Sequence, residues 1–569
     1  RLPTLLGCAL PWFRPIMTRR LRDPLFLLCL VAALLAIVVQ SGELGTADTM
    51  HRLQTAHSWW TDEPAVFPNE YPDFGVHGRG GKLYDWYGIG QPLLMLPVEI
   101  IGTYIEDLPI FDNYRGTDPT VRNIFVVYTV NTFLSVATAI VCFRFLGELG
   151  FTVNQSAAGV LALLFATTHL HYTQNMMENN YIFLLTLAGF RYQYQWLRTS
   201  NQRALVIGSA AFGLNLLTRL TTGLDLIAGG IFLLLVSCFE PIPSGGLQSL
   251  SPGVQLRSSG NFGGAALRGR ILWQRFLTYA KTAAPIYLVF IAIDRWYQWY
   301  RFGSIFSTYV RQFTIEHKML DPTLPAKYPW ETPFHVGFLG ALFTPEKSIF
   351  LFDPLLLLTI IVIALAGKRF RPDVRAYLIA TIFLLFAYIC FYARYTVWSG
   401  DFAWGDRYVS TAAQFVAFIS VPLLLRYRAQ LGAAVWITGM ALIAISAAIQ
   451  FASLAFWLPL EIYQMDTLGH PTFVVWLRLE NMVAFALGKM HAWGLTNDSM
   501  TYDPWDYVHI TCWNFIPFLL RRVGVAPAWV VRIVLALWSA AVSALIAALL
   551  ELRRVLRLPA AVRTSNSLS

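Results

Sequence analysis

Charged residues are scarce in this chain. Of its 569 residues only 13% are Asp, Glu, Lys or Arg, whereas 56% are hydrophobic and 15% are aromatic. With a mean hydropathy of +0.51, the chain is too apolar for a soluble globular protein of ordinary composition. Its apolar segments are also too long and too continuously apolar to be the strands of a membrane β-barrel. Within lipid, the backbone N–H and C=O groups of a spanning segment must hydrogen-bond to one another, as they do in a helix. The sequence therefore predicts an all-α fold, a polytopic helical bundle in a membrane.

Cysteine is sparse as well. The six cysteines are spread singly along the chain, and most fall within or at the ends of apolar segments. This spacing argues against a disulfide framework and against a C-x-x-C metal site. A signal peptide with a cleavage site is also lacking before the first apolar run, and the string from Met17 to Arg20 resembles a translation start. Residues 1–16 are therefore expected not to be structural.

Basic residues follow the pattern of membrane sidedness. The formal net charge of +10 arises from Lys and Arg in short loops between apolar runs, which fits membrane topology better than nucleic-acid binding. Because such loops favour the cytoplasm, we predict a multi-pass inner-membrane protein with a cytoplasmic N-terminus. About twelve runs are expected to span the bilayer, although some are shorter than the roughly 20 residues of a full crossing. The runs are 25–39, 124–142, 157–168, 180–196, 204–218, 224–239, 277–293, 348–366, 376–393, 409–425, 432–457 and 526–550.

Alternation from this N-terminus divides the chain into cytoplasmic segments and two helix groups. The cytoplasmic segments are the N-terminus 1–23, a Gly/Ser-rich linker 241–276 and the tail 552–569. The helix groups are 24–240, with its external loop 40–122, and 277–551, with external loops 294–347, 394–408 and 458–525. Surface helices are predicted in the first external loop, over Thr49 to Trp60 and Ile89 to Tyr104. The second is placed on the surface because a crossing there would invert every later basic loop.

Asp48 lies a few residues past the first apolar run, on the predicted external side. The external connections hold most of the carboxylates, histidines and tryptophans, so chemistry is expected there. An acidic residue at this interface is suited to act as a base where lipid-borne substrates arrive. Glu43, which lies nearer the membrane, is the weaker competitor. The alternative for Asp48 is a helix cap, because Thr46 and Asp48 precede the amphipathic helix.

Seven strings lie in and around the external connections: GELGTADTMHRLQ, GKLYDWYGIGQPLLMLP, NMMENNYIF, LNLLTRLTTGLDL, YQWYRFGSIFSTY, LFTPEKSIFLFDPLLLL and WSGDFAWGDRYVS. They resemble strings of bacterial members of the GT-C glycosyltransferase superfamily. These integral membrane enzymes use polyprenyl-phosphate sugars, and they include the protein O-mannosyltransferase and aminoarabinose transferase branches. The order and the sidedness of the strings carry the resemblance, which is spread over most of the chain.

The resemblance implies an inverting transfer of a sugar from a polyprenyl-phosphate donor to an acceptor at the external face. Asp48 matches the acidic residue after the first span, which is expected to act as base or to orient the acceptor. The chain departs from the family pattern in two ways. Residues 458–525 form a loop rather than a large soluble domain, and Asp48 is not part of a paired Asp-Glu motif. A lipid or glycan acceptor is therefore expected at least as readily as a protein.

Cations on the external side are candidates for binding the donor phosphate. Arg suits bidentate phosphate contacts, and Lys serves as a point charge. Asp85 is a candidate for a contact to a sugar hydroxyl, unless it pairs with Lys82. The alternative for Arg219 is snorkelling to the interface, and the alternative for Arg407 is an ion pair with a neighbouring aspartate. The cationic candidates are Lys82, Arg52, Arg219 and Arg407.

Glu178 is the second candidate catalytic carboxylate. An ionisable group at a membrane-embedded helix start is costly without a function or a partner, so Glu178 is expected to position the acceptor or to help hold a metal. The alternative is a favourable interaction with the positive end of the helix. A divalent metal ion is left open as a cofactor, with Asp48, Glu178 and His171 as candidate ligands. His169 and His171, at i and i+2, do not share a helical face.

Two rival functions remain open at this stage. A transporter or flippase of a lipid-linked or anionic solute is expected to carry ionisable residues near the middle of several spans. In this chain the ionisable residues lie mostly at the ends of the predicted spans. The chain also shows no internal repeat, which many transporter folds contain. The second rival is a non-catalytic assembly subunit or a component of a polysaccharide polymerase. The expected partners are membrane lipids, a polyprenyl-phosphate sugar and a lipid, glycan or protein acceptor, and no nucleic acid.

Overall fold

The computed structural model describes residues 23–68, 75–114, 119–239, 264–400, 403–457, 459–466, 468–489, 512–524 and 526–558. Within these ranges the chain is mostly helical, with one antiparallel hairpin formed by β1 (Val76–His77) and β2 (Leu83–Tyr84). The all-α prediction is therefore confirmed. The segment 1–16 and most of the predicted linker lie outside the described residues. The last part of that linker, from Gly264, belongs to a helix.

The described helices are numbered here in chain order. Those before residue 240 are α1 (Pro24–Val39), α2 (Ala47–His57), α3 (Gly90–Glu106), α4 (Val121–Glu148), α5 (Val153–Ala166), α6 (His169–Gln174), α7 (Asn179–Thr199), α8 (Gln202–Thr218) and α9 (Gly223–Phe239). Those that follow are α10 (Gly264–Phe302), α11 (Tyr309–Leu320), α12 (Phe334–Phe343), α13 (Ile349–Phe352), α14 (Leu355–Ala366), α15 (Pro372–Tyr392), α16 (Arg407–Ala417), α17 (Ser420–Arg426), α18 (Arg428–Ser453), α19 (Pro459–Asp466), α20 (Val474–Ala486), α21 (Ile516–Val523) and α22 (Ala528–Arg557).

Seven helical segments of the described chain are long and apolar enough to cross a membrane. Several other expected spans coincide with shorter helices; α1 has 16 residues and α5 has 14. The count of about twelve spans and their sidedness therefore stay predictions. The seven segments are Val121–Glu148, Leu220–Phe239, Leu272–Phe302, Pro372–Tyr392, Arg407–Arg426, Arg428–Ser453 and Ala528–Arg557.

The expected span 348–366 is interrupted between α13 and α14. Pro354 has no backbone N–H to continue a helical hydrogen-bond ladder. Beside it, the Asp353 carboxylate accepts hydrogen bonds from the backbone N–H and the hydroxyl of Thr168, at 2.8 and 2.9 Å. The interruption therefore gives this buried carboxylate its partners and ties the start of α14 to the start of α6.

Both helices predicted in the first external loop are present as α2 and α3. Thr46 caps α2, since its hydroxyl accepts the Thr49 N–H at 3.2 Å. Asp48 lies in the first turn of the helix, so the capping oxygen belongs to Thr46. Four residues on, Arg52 lies on the same face of α2 as Asp48.

Aromatic rings fill the centre of the bundle. Phe190 stacks on Phe232 at 5.5 Å and on Phe415 at 6.0 Å, and Phe145 meets Tyr377 edge-on at 5.5 Å. Such pairs contribute roughly 0.5–1.5 kcal/mol each beyond their buried area. They join α4, α7, α9, α15 and α16, so the helices that later carry the site are fixed by one core.

A buried ion pair lies at the C-terminal end of α18. Arg478 on α20 and Glu461 on α19 are fully buried, and two parallel hydrogen bonds of 2.6 Å join them. Arg478 also donates to the carbonyl oxygens of Ser453 and Phe456, at 2.9 and 2.8 Å. Carbonyl groups at a helix end have no partner within the helix, and the guanidinium supplies one here.

We expect Arg478→Met to lower the free energy of unfolding by about 3–5 kcal/mol, because Glu461 would be left as an unpaired buried charge. The double variant Glu461→Gln/Arg478→Met should recover part of that loss. Thermal unfolding of the purified protein in detergent measures both effects. Arg554→Met, which alters an exposed pair, is the matched control and should change little. An Arg478→Met protein as stable as the wild type would contradict this account.

Candidate functional site

A cavity of about 340 Å³ lies where several helix ends meet at one end of the bundle. The first turns of α2, the residue before α7, the residue after α8 and the first residue of α16 each bring charged side chains to its wall. Five of the seven catalytic and substrate-binding candidates from the sequence thus meet here. They are Asp48, Arg52, Glu178, Arg219 and Arg407.

Two hydrogen bonds bring these elements together. The Thr49 hydroxyl on α2 donates to the carbonyl oxygen of Met176 at 2.6 Å, which fixes α2 against the segment that leads to Glu178. The Asn179 side chain, at the start of α7, donates to the carbonyl oxygen of Arg407 at 2.7 Å. The starts of α2, α7 and α16 are therefore held in register by polar contacts to backbone.

Glu178 lies between two arginines. Its side chain is 4% exposed, and its carboxylate forms ion pairs with Arg52, at 2.7 Å, and with Arg219. Burial alone would raise the pKa of Glu178, but the two guanidinium groups outweigh burial and hold that pKa well below its ordinary value. Glu178 therefore stays ionised and fixes both cations in the cavity wall.

Asp48 forms an ion pair with Arg407, the third arginine of the cavity. Its Oδ2 accepts from Nη1 of Arg407 at 2.6 Å, and its Oδ1 accepts from the Tyr87 hydroxyl at 2.7 Å. Burial would raise the pKa of Asp48, but Arg407, Arg52 and the Tyr87 hydroxyl together lower it below the ordinary value. Asp406 instead caps α16. Asp48 keeps 22% of its side chain exposed, so it still reaches the cavity.

Tyrosine rings support the guanidinium groups. Arg52 lies 4.0 Å from the centre of the Tyr87 ring, and Arg219 and Arg407 lie 5.1 and 5.2 Å from that of Tyr408. Tyr408 in turn stacks on Tyr392 at 4.3 Å. Planar guanidinium groups stack favourably on aromatic faces. These contacts therefore orient the arginines without consuming all of their N–H donors.

Two glycines let the segment that carries Tyr87 lie directly on the end of α8. A Cβ atom at Gly88 would lie 2.3 Å from the carbonyl oxygen of Leu217, and one at Gly90 would lie 2.4 Å from the Thr218 hydroxyl. No side chain fits at such distances. This close approach brings Tyr87 and Arg219 to the same cavity.

Helix α11 forms the aromatic wall of the cavity. Tyr309, Phe313 and His317 line it, and their spacing of four residues places them on one face. Phe313 meets Trp86 edge-on at 5.3 Å. Glu316 ties the helix to the hairpin, because its carboxylate accepts the backbone N–H of His77 at 2.7 Å.

Asp85 and Lys82 lie outside the cavity lining. Asp85 is 1% exposed and accepts hydrogen bonds from Arg301 at 3.0 Å and from the Thr55 hydroxyl at 2.8 Å. Arg301 also donates to the carbonyl oxygens of Asp85 and Tyr87. Asp85 thus pairs with Arg301 rather than with Lys82, and it orders the segment behind Tyr87. Lys82 is exposed next to the hairpin.

The candidate metal ligands do not form a cluster. His171 is buried on α6, where it stacks on Trp404 at 5.7 Å and contacts the Asn175 side chain at 3.0 Å. It does not line the cavity with Asp48 and Glu178. Among the residues that the structure describes, no group of three His, Cys, Asp or Glu side chains is placed to hold a metal ion. The two cavity carboxylates are already engaged by guanidinium groups, so this donor set does not fit a metal.

Sequence reasoning missed several residues of the site. Tyr87 and Tyr408 stand in strings that drew attention, but no pattern singled out their rings. Arg301, near the end of α10, stands in the string YQWYRFGSIFSTY but was not singled out, because its partner lies far away in sequence. The aromatic face of α11 could have been detected, since Tyr309, Phe313 and His317 are spaced four residues apart.

The arrangement is suited to binding an anion beside an apolar or ring-shaped group. Three guanidinium groups face two carboxylates, which leaves one formal positive charge in the wall. Arginine binds phosphate and carboxylate groups through paired hydrogen bonds, and the aromatic residues of the wall offer flat surfaces. Comparison with protein-family models, with curated proteins and with solved structures finds no match.

We expect Glu178→Gln to destabilise the protein by about 3–5 kcal/mol at neutral pH, because Arg52 and Arg219 would keep their charge without a buried partner. The lowered pKa of Glu178 also sets a pH dependence. The stabilisation is fully present above the unfolded-state pKa near 4.3 and is lost as the pH falls through the folded-state value. Thermal unfolding between about pH 3 and pH 7 tests both points.

Acidification below about pH 4 should therefore narrow the difference in stability between wild type and Glu178→Gln. The surface carboxylate Glu551, which pairs with Arg554 at 3.5 Å, provides the matched control Glu551→Gln, for which little change is expected. A constant difference at all pH values would show that Glu178 does not act through its charge.

Proposed function

We propose that this protein is a membrane glycosyltransferase of the GT-C type, which transfers a sugar from a polyprenyl-phosphate donor to a lipid, glycan or protein acceptor at the external face, with inversion. One observation carries the proposal. Three arginines and two carboxylates from separate parts of the chain meet in one cavity, beside aromatic rings and at the ends of long apolar helices. The resemblance of the external strings to that superfamily is in keeping with this arrangement.

The arginines would bind the donor phosphate. Arg219 directly precedes the apolar segment Leu220–Phe239, and Arg407 begins the segment Arg407–Arg426. Their guanidinium groups therefore lie at helix ends, and in a membrane they would be at the depth where the headgroup of a lipid is found. The positive charge left in the wall would be neutralised by a phosphodiester, and the lipid chain would extend along the apolar helices.

Asp48 would orient the acceptor. Both of its oxygens already accept one hydrogen bond, but a carboxylate has further lone pairs, and part of this side chain reaches the cavity. The exposed portion is suited to accept a hydrogen bond from an acceptor hydroxyl. Glu178, which is almost completely enclosed by Arg52 and Arg219, would act as a positioning residue for these cations.

The reaction would proceed as a single displacement. The acceptor oxygen attacks the anomeric carbon on the side opposite the phosphate, the new C–O bond forms, and the electron pair of the broken C–O bond leaves with the lipid phosphate. Negative charge grows on that phosphate in the transition state, where fixed guanidinium donors stabilise it. Attack from the opposite side inverts the configuration.

We expect Arg219→Gln and Arg407→Gln each to weaken binding of undecaprenyl-phosphate-linked sugars by roughly 10- to 100-fold, the loss that corresponds to one charge-assisted hydrogen bond of about 1.5–3 kcal/mol. Binding is measured with tritiated donors and protein reconstituted in lipid vesicles. Arg79→Gln is the matched control, because Arg79 lies over Trp299 at 4.7 Å and outside the cavity lining.

A donor affinity that none of these arginine substitutions changes would overturn the phosphate assignment. Donor binding with no transfer to lipid, glycan or protein acceptors, combined with movement of the donor between leaflets, would favour the alternative of a flippase. Both outcomes are read from the same vesicle preparation, so the two functions can be separated with one set of variants.

A further inference from the structure

The transfer proposed above requires a proton acceptor, and the two cavity carboxylates are poorly suited to that task. Both oxygens of Asp48 and both oxygens of Glu178 already face guanidinium groups or a tyrosine hydroxyl. The pKa of each carboxyl group is lowered by these neighbours. A carboxylate stabilised in this way is a weak base, because its partners favour the unprotonated form.

Among the described residues that line the cavity, His317 is the one with an imidazole side chain. It lies on α11, on the same face as Tyr309 and Phe313, and its side chain is partly exposed. Its ring contacts are with Phe313, at 3.8 Å, and with Tyr328, at 6.3 Å. In the described part of the chain, neither ring nitrogen has a hydrogen-bond or ion-pair partner. An imidazole nitrogen is therefore available to a ligand.

We propose that His317 is the general base of the transfer, and that the acceptor is consequently an alcohol hydroxyl rather than a carboxylate or a phosphate. An ionised acceptor would need no base, whereas a hydroxyl must lose its proton as it attacks. This inference rests on the proposed function. Among ordinary side chains, histidine has the unperturbed pKa, about 6.5, that best matches proton transfer near neutral pH.

The proposed step balances in protons and electrons. The acceptor O–H bond breaks as its oxygen forms a bond to the anomeric carbon, and the proton passes to an imidazole nitrogen of His317. The electron pair of the broken bond to the carrier leaves with the lipid phosphate between the arginines. The imidazolium then returns its proton to water through the open side of the cavity.

Charged groups from several parts of the chain line the same cavity as this base. They are Asp48 and Arg52 from α2, Glu178 before α7, Arg219 after α8 and Arg407 from α16. On α11 itself, Glu316 is bound to His77, and Lys318 donates to the carbonyl oxygen of Ala326 at 2.8 Å. A nearby anion, such as the departing phosphate, would favour the protonated histidine and so assist the transfer.

The test is transfer of tritiated sugar from undecaprenyl-phosphate donors to octyl glucoside, a simple alcohol acceptor, by protein reconstituted in lipid and measured from about pH 5 to pH 9. We expect the wild-type rate to fall as the pH is lowered, because a protonated base cannot take up the proton of the acceptor. His317→Gln should be slower by about 100-fold or more. Its rate should also no longer show the fall at low pH, which is the acidic limb of the pH profile. Donor affinity should be unchanged. Added imidazole should restore part of the rate of His317→Ala.

His77→Gln is the matched control, since it removes the contact of the His77 ring with the Glu316 carboxylate at 3.1 Å but keeps the imidazole of His317. A slower His77→Gln enzyme that retains the acidic limb supports the assignment. A His317→Gln enzyme with near wild-type rate and the limb intact overturns it, whereas the proposed function stands. If the wild type neither binds nor turns over any donor, both proposals fall.

Discussion

The enclosure of Glu178 between Arg52 and Arg219 is the interaction on which the rest of the site depends. Taking charges out of water costs several kcal/mol for each ion, and this cost is offset only where geometry and partner number are favourable. Here one carboxylate serves two cations, and stacking on tyrosine rings supports them. Without Glu178, three like charges would face one another with Asp48 as their single counter-ion.

This arrangement makes the cavity preorganised for an anion. The guanidinium planes are fixed by ion pairs on one side and by Tyr87 and Tyr408 on the other, so little side-chain freedom is left to lose on binding. The close packing of Gly88 on the end of α8 fixes the loop that carries Tyr87. Backbone contact and electrostatics therefore support the same geometry, and the site needs no ligand to assemble.

Much of the site could be predicted because charge follows sidedness in a membrane protein. Four of its charged residues stand at the ends of apolar runs on one predicted side: Asp48, Glu178, Arg219 and Arg407. Helix ends on the same side of a bundle lie close together. The all-α fold follows from composition in the same way. The number of membrane spans does not follow from composition. Helices α1 and α5 and the interrupted pair α13–α14 are too short for their length alone to show whether they cross the membrane.

What could not be predicted depends on contacts between distant segments. Asp85 lies next to Lys82 in sequence, yet its partner is Arg301, some two hundred residues away, and no local pattern encodes that pairing. The aromatic wall was missed for a related reason. Its helix lies in the predicted external loop 294–347, where no helix was predicted, and what it faces is decided by the link from Glu316 to His77.

The proposed transfer would assign to different residues two tasks that a single carboxylate performs badly together. A carboxylate that holds a guanidinium group must stay ionised, and the interactions that keep it ionised lower its affinity for a proton. Asp48 and Glu178 are both committed to arginines, so the groups that organise the cations are not those best able to take up a proton. As the proposed base, the imidazole of His317 on a separate helix would escape this conflict. It could accept a proton without leaving an arginine unpaired, and the cavity wall would keep its structure throughout the proposed reaction.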